Sequence, residues 1–384
     1  MTPVGPVGDA KDEKETWAII AGGGTAGHVL PGLAVARALV ARGHPLGTVH
    51  WVGSRIGIEA RLVPEAGFGV TLLPGRGIER RLSRASVTAA MGLVAAVAAG
   101  VALVARHRPA VVVALGGYAS VPCALAAVAL RVPLVVCEQN AVPGAANRYL
   151  ARFARAAAVS FPGTRLPRAR VTGNPVRPEI LAVDRSRDRD EARTALGLPL
   201  NRRVVAAFGG SLGARRINLA VVAALRRWAR RGDLAVRHVV GRRDWTLVAE
   251  ATPDLGGAAL VYAPVEYEDR MDLMLAAADV AVCRAGATTV AELAVVGLPS
   301  VLVPLPGAPG DHQTANARQL VDAGAAVLVA DGELDGDRLA AEVDALLSDP
   351  EALERKSRAA TGFARRDAAE AVAALVEEHA RGGR

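Results

Sequence analysis

Residues 279–319, DVAVCRAGATTVAELAVVGLPSVLVPLPGAPGDHQTANARQ, carry the pattern that decides the fold. The apolar run 280–283 has the length and composition of a buried strand, and Ala285-Gly286-Ala287 is a turn with almost no side chain. A helix follows, with Thr288 or Thr289 placed to cap it and Glu292 as a capping-box partner. Gly297-Leu298-Pro299 ends that helix, and 300–305 reads as the next buried strand. Such a unit puts its turn at the carboxyl edge of a parallel sheet, where open α/β sheets bind ligands. Backbone N–H groups at the helix start suit a phosphate. One turn further along, Glu292 is placed to accept hydrogen bonds from a ribose diol. An ordinary crossover with a solvated glutamate would carry the same letters, so this stretch alone leaves both readings open.

The chain has 384 residues, enough for two domains, and 51% of them are hydrophobic. Aromatic residues make up only 3%, so the cores must be built from Ala, Val and Leu. The net charge of +8 favours an anionic partner, although an arginine- and alanine-rich composition also follows from a GC-rich genome. Cys123, Cys137 and Cys283 are too far apart in the sequence for a metal motif or a disulfide framework, which points to a reducing compartment. The polar start, MTPVGPVGDAKDEKE, lacks the apolar region of a signal peptide, and residues 1–16 read as disordered.

From 17 onward the pattern is strand, glycine-rich turn, helix, repeated. WAIIA (17–21) runs into GGGTAGHVLPGLAVARALVARG, a turn and a helix with His28 at their junction. The next strand ends in Gly53-Ser54-Arg55 and not in the acidic residue that an adenosine ribose requires, which counts against NAD. An arginine-rich loop, 76–84, with the apolar Ile78 and Leu82, is suited to anionic lipid headgroups. The uncharged run 85–105 is long enough to span a bilayer, but it is Ala/Gly-rich and leads directly into a strand of the same sheet, so it reads as a crossover helix. A second glycine turn, LGGYAS, follows that strand. Glu138, Gln139 and Asn140 cluster just beyond the strand 134–137. The charged run 184–193 reads as a solvated linker, its Asp188-Arg189-Asp190 included. After it the layout restarts: strand 204–208, a phosphate-loop-like turn GGSLGA (209–214), a helix, and onward to the opening stretch. The tail, 365–384, is amphipathic.

Seven motifs occur in order: GGGTAGHVLPGLAVA, LGGYASVP, EQNAVPGAANR, TGNPVR, FGGSLGARRIN, CRAGATTVAELAVVGLPSVLVPLP and DHQTANA. Together they closely resemble the MurG family of bacterial peptidoglycan transferases over roughly residues 17 to 380. The resemblance implies an α/β, B-type glycosyltransferase fold, two Rossmann-like domains facing across a cleft. The implied layout is a disordered start (1–16), an acceptor and membrane-associating domain (17–183), a linker (184–200), a donor domain (201–362) and a C-terminal helix (363–384). It also implies UDP-N-acetylglucosamine and lipid I as substrates, with peripheral work at the anionic cytoplasmic face of the cell membrane. Thr25, Ala26 and Gly27 match the family's first donor-contacting turn. Asn140, Arg177, Ser211 and Gln313 match donor-binding positions. Ala287, Thr288, Thr289, Val290, Ala291 and Glu292 match the segment that holds phosphate and ribose, with Glu292 on the ribose hydroxyls. His28 matches the candidate base, and Glu138 is the alternative. Ala26 replaces a usual glycine and Cys137 a common histidine, so no role carries over for a histidine at 137.

The chemistry implied is a single displacement at the anomeric carbon, in which the muramyl 4-hydroxyl loses its proton to a base as it attacks. Helix N-termini after Gly210 and Ala287, with Arg177, would stabilise the leaving UDP; no metal constellation is visible and no cofactor is implied. An NAD(P)-dependent oxidoreductase would explain GGGTAG but not Glu292. A nucleotide-sugar epimerase of the same two-domain fold would share the donor site and lack a lipid surface. Nucleic-acid binding is disfavoured because the arginines do not interleave with aromatics.

Overall fold

The computed structural model describes residues 15–73, 84–210 and 213–382, with backbone alone over 84–93. Two parallel sheets organise it. The first contains β1 (Ala18–Ala21), β2 (Val49–Ser54), β3 (Gly69–Leu73), β4 (Val111–Ala114), β5 (Leu134–Glu138), β6 (Ala156–Val159) and β7 (Ala169–Val171), in the order β3-β2-β1-β4-β5-β6-β7. The second contains β8 (Arg203–Phe208), β9 (Leu234–Val239), β10 (Val261–Val265), β11 (Val280–Cys283), β12 (Ser300–Leu302) and β13 (Ala326–Leu328), in the order β10-β9-β8-β11-β12-β13. Strands covered by helices on both faces are apolar at every position, and β1, β4, β6 and β11 are buried throughout.

Sequence reading misses one edge strand of each sheet, β7 and β13. β7 and β13 are only three residues long, and all three residues of β7 are exposed, so no apolar run marks it. β12 stops earlier than expected because Pro304 has no N–H to continue the ladder. The charged run 184–193, read as a solvated linker, forms the helix Arg185–Ala195, capped by the Asp184 carboxylate on the N–H groups of Ser186 and Arg187. Its Arg193 is fully buried. It donates to the carbonyls of Ala277, Leu200 and Arg202 and to the Asp279 carboxylate at 2.8–3.0 Å, which locks the helix beside β11.

The expected C-terminal helix is present as Ala368–His379, and it crosses back to the first sheet. Val372, Ala373, Leu375 and Val376 share a core with Val29, Leu33 and Val35 of the helix Ala26–Ala41 and with β1 and β4. Glu377 fastens it by accepting bonds from Arg42 and His44. The uncharged run forms the helix Arg84–His107, which packs on the helix Val121–Ala129. At Gly100 a Cβ would stand 2.9 Å from the Pro122 backbone, so only glycine permits that approach. Among the described residues no helix is long and apolar enough to cross a membrane, in agreement with the crossover reading. The loop 76–83 and the side chain of Arg84 lie outside the described residues.

Candidate active site

Each sheet has one place where strand order reverses, between β1 and β4 and between β8 and β11. Ligands bind outside the carboxyl ends of strands at such switch points, because the chain leaves in opposite directions and opens a crevice. The glycine-rich turns of the sequence flank these two crevices: 22–28 and 115–120 in the first sheet, and 284–287 with the described residues 209–210 and 213–214 in the second.

In the first crevice the turn after β1 is held from below by Glu59. This fully buried carboxylate accepts from the N–H groups of Gly24 (2.8 Å) and Ser54 (2.7 Å). A Cβ at Gly23, Gly53 or Gly57 would collide with it at 2.0–2.4 Å, so three glycines form its cradle. Thr25 is the N-cap of the helix Ala26–Ala41, and Ala26, Gly27 and His28 form its first turn. Half-buried His28 has its Nδ1 3.4 Å from Thr25 Oγ1, and its ring lies against Gly116 and Gly117 of the neighbouring turn. Burial holds the imidazole below its ordinary pKa, against the opposing pull of the Glu138 carboxylate. The ring is therefore neutral at pH 7.

Glu138 ends β5 and is buried. Its oxygens accept from the Asn140 N–H (2.9 Å) and amide (3.2 Å), the Gly144 N–H (3.0 Å) and the Asn147 amide (2.9 Å). Four donors from its own loop saturate it, which makes it a holder of that loop. Cys137, beside it, is buried, and its thiol is pushed up to about 12 by burial, so it is inert.

In the second crevice the helix Ala287–Val296 starts from Gly286, in extended conformation, with no side-chain cap. The expected threonine cap is absent because Gly286 occupies the N-cap position, and Thr288 Oγ1 is buried without a partner. Gly297 closes the helix in the left-handed conformation, as its sequence position predicts. Ala287 and Val290 belong to the core, and Ala291 packs against it. Glu292 is buried and reaches no cap. It accepts from Arg177 Nε at 3.1 Å and from the terminal guanidinium nitrogen at 2.8 Å. Burial raises its pKa, and Arg177 opposes the rise. Arg177 also borders a cavity of about 490 Å³ between Leu30 and Leu33 of the first helix and the segment 269–272. Gln313 holds the turn by accepting from the N–H groups of Ala285 and Leu305. Ser211 lies outside the described residues.

Behind the turn after β8 is a buried polar chain that the sequence did not announce. Tyr262 O–H meets His238 Nδ1 at 2.9 Å, His238 Nε2 meets Asn218 Oδ1 at 3.0 Å, and the Asn218 amide donates to the Val240 carbonyl at 2.9 Å. A Cβ on Gly213 would lie 2.2 Å from that carbonyl, so the chain sets the surface on which the turn rests. Asn316 and Asn147 were also missed. Both are fully or nearly buried amides inside the quoted motifs DHQTANA and EQNAVPGAANR, and an amide directly after an alanine was the available signal.

Residues 18–159 match the glycosyltransferase family 28 N-terminal domain and residues 204–372 its C-terminal domain. A UDP-N-acetylglucosamine–N-acetylmuramyl-(pentapeptide) pyrophosphoryl-undecaprenol N-acetylglucosamine transferase of Nocardioides sp. is 44% identical over 360 residues, covering 94% of this chain and 97% of the relative. The crystal structure of Acinetobacter baumannii MurG superposes with a TM-score of 0.76 at 28% identity, over 94% of this chain and 99% of that one. A UDP-GlcNAc 2-epimerase from Neisseria meningitidis shares the fold alone, at a TM-score of 0.63 and 14% identity over 93% of this chain and 98% of that one. With both domains matched, nearly the whole length covered and the two-sheet architecture in common, the chain belongs to glycosyltransferase family 28, in its MurG branch.

Proposed function

We propose that this chain transfers N-acetylglucosamine from UDP-N-acetylglucosamine to the muramyl 4-hydroxyl of lipid I, giving lipid II for peptidoglycan. The observation that carries the reading is the pairing of two unlike crevices. One presents a half-buried histidine at a helix start, and the other a helix N-terminus with a buried carboxylate one turn along. The first suits an acceptor hydroxyl and the second a nucleotide diphosphate. In this reading the first domain takes lipid I and the second the donor. Glu292 accepts from the ribose hydroxyls, and the diphosphate lies at the start of the helix Ala287–Val296 and at the turn after β8, Ser211 included. Arg177 joins the diphosphate when the ribose takes its place on Glu292. The cavity beside Arg177 has room for the base end of the same nucleotide. Thr25, Ala26, Gly27 and Asn140 close over the sugar from the opposite side, and Gln313 fixes the turn beneath it.

The acceptor oxygen attacks the anomeric carbon as the bond to UDP breaks, and its proton passes to the His28 imidazole. Attack opposite the leaving group inverts the α-linked donor to a β-linked product. Charge developing on UDP is met by helix N-termini and Arg177. Glu138, saturated by its own loop, orients that loop and leaves proton transfer to His28. The protein works as a peripheral enzyme at the cytoplasmic face of the membrane. Its net charge of +8 and the exposed edge-to-face pair Tyr149 and Phe153, with Arg148 and Arg152 in the same segment, support contact with anionic lipid. The test is UDP release measured with and without a lipid I analogue. Release that requires the analogue supports transfer. Interconversion of the nucleotide sugar without acceptor would make the chain an epimerase and overturn the reading.

A further inference from the structure

We propose that Asn316 is a positioning residue that couples the two halves of the active site, tying the Glu138 loop of the first domain to the Ala285 turn of the second. The inference rests on the transferase reading and adds a residue to it. Asn316 belongs to the helix His312–Asp322 and is fully buried. Its Oδ1 accepts from the Ala141 N–H at 2.8 Å, and its Nδ2 donates to Asn140 Oδ1 at 3.1 Å and to the Ala285 carbonyl at 3.2 Å. Two of these bonds cross between domains and one stays within the second.

The orientation of every group in this chain is determined. An ionised carboxylate only accepts, so Glu138 draws the Asn140 amide NH₂ toward itself. That turns Asn140 Oδ1 outward, where it requires a donor. Asn316 supplies one from the opposite domain, and its second N–H reaches Ala285. Gln313, one turn earlier on the same helix, takes the Ala285 N–H. The Ala285 residue is therefore gripped through its N–H by Gln313 and through its carbonyl by Asn316, two residues before the donor helix begins. Glu138 meanwhile holds the Asn147 amide, and that amide and His28 Nε2 stand 3.0 and 3.4 Å from the same point beside Gly116. Placement of the donor turn is thus transmitted through four side-chain contacts to the surroundings of the histidine. A buried asparagine serving only to pack its own domain would have no reason to spend two of its three bonds on the other one.

UDP lacks the sugar and so probes the coupling without reaching Asn140 through the transferred group. The measurement is amide hydrogen exchange at residues 139–144 with and without UDP, on the wild type, Asn316→Ala and Asn316→Asp. UDP bound at the second domain is expected to slow wild-type exchange there by about tenfold, the effect of one or two net hydrogen bonds made more persistent. In Asn316→Ala that protection disappears. Asn316→Asp, isosteric but with an oxygen facing Asn140 Oδ1 and the Ala285 carbonyl, fails to restore it, and it serves as the test if the alanine variant does not fold. Both variants lower kcat, and they weaken UDP binding, read by calorimetry, by no more than the same tenfold, as reciprocal coupling requires. Protection that persists in both variants, or that UDP does not produce in the wild type, overturns the coupling. Failure of the wild type to bind UDP at all would instead refute the transferase reading beneath it.

Discussion

Removing the Glu292 carboxylate tests the donor site most sharply. Glu292 is 6% exposed, and its Oε1 already accepts both bonds from Arg177. A ribose diol replacing Arg177 would gain charge-assisted hydrogen bonds, and their loss in Glu292→Ala costs about 1.5–3 kcal/mol. That corresponds to UDP binding weaker by roughly 10- to 150-fold. Glu292→Gln keeps the shape and an acceptor oxygen but not the charge, so its loss is smaller. The pH dependence gives an independent check. Burial raises the Glu292 pKa, so the binding-competent carboxylate is lost on acidification at a pH above the usual carboxylate range. UDP affinity of the wild type falls in that window, and that of Glu292→Gln stays flat. For the unliganded fold the sign is opposite: this group's contribution is full below its unfolded-state pKa and is lost as pH rises through the folded one. Calorimetric titration of UDP into the three proteins from neutral pH downward reads the binding effect, and thermal melts without UDP read the stability effect. An alanine variant within twofold of the wild type, or a glutamine variant with the wild-type pH dependence, would remove Glu292 from the ribose site.

His28→Ala should lower kcat by roughly 10²–10⁴-fold with little change in UDP affinity, since base and nucleotide sit in different crevices; steady-state kinetics with both substrates varied decides, and more than about a tenth of wild-type kcat rules out the base role. His238 is buried and its pKa is depressed to about 4 from 6.5. Its stabilisation is complete above the unfolded value and is lost as pH falls through the folded one. It amounts to roughly 3 kcal/mol. Thermal melts of His238→Gln should show a weaker decline of Tm across that window, and an unchanged slope would contradict the buried neutral imidazole. The protein should bind vesicles containing anionic lipid and leave them at high salt; extraction only by detergent would count against a peripheral, electrostatic attachment.

Much of this site was legible because parallel α/β folds put chemistry at fixed places. The glycine turns 22–28, 115–120, 209–214 and 284–287 are visible as letters, and the sheet order turns them into two facing crevices. Gly297 as a helix end and β11 over Val280–Cys283 followed from local rules alone. Pair contacts between distant segments were not legible. The Arg177–Glu292 pair joins residues whose proximity is set by how the two domains meet. The cap expected from Thr288 or Thr289 gave way to Gly286, since the tight turn at 285–287 starts the helix two or three residues sooner. Arg193 looked like part of a solvated charge run because its partners, Asp279 and three carbonyls, come from elsewhere in the sequence. The C-terminal helix showed its amphipathic face, but which core it covers was decided by the return of the chain to the first sheet.

The central claim is transfer with inversion onto the muramyl 4-hydroxyl, and the product tests it most directly. The protein is incubated with UDP-N-acetylglucosamine and a lipid I analogue, and the isolated product is characterised by mass spectrometry and by the NMR coupling at the new anomeric centre. The account predicts one N-acetylglucosamine added per acceptor, in β linkage to the muramyl 4-oxygen. An α linkage, attachment at another oxygen, or unmodified acceptor alongside an altered nucleotide sugar would contradict it.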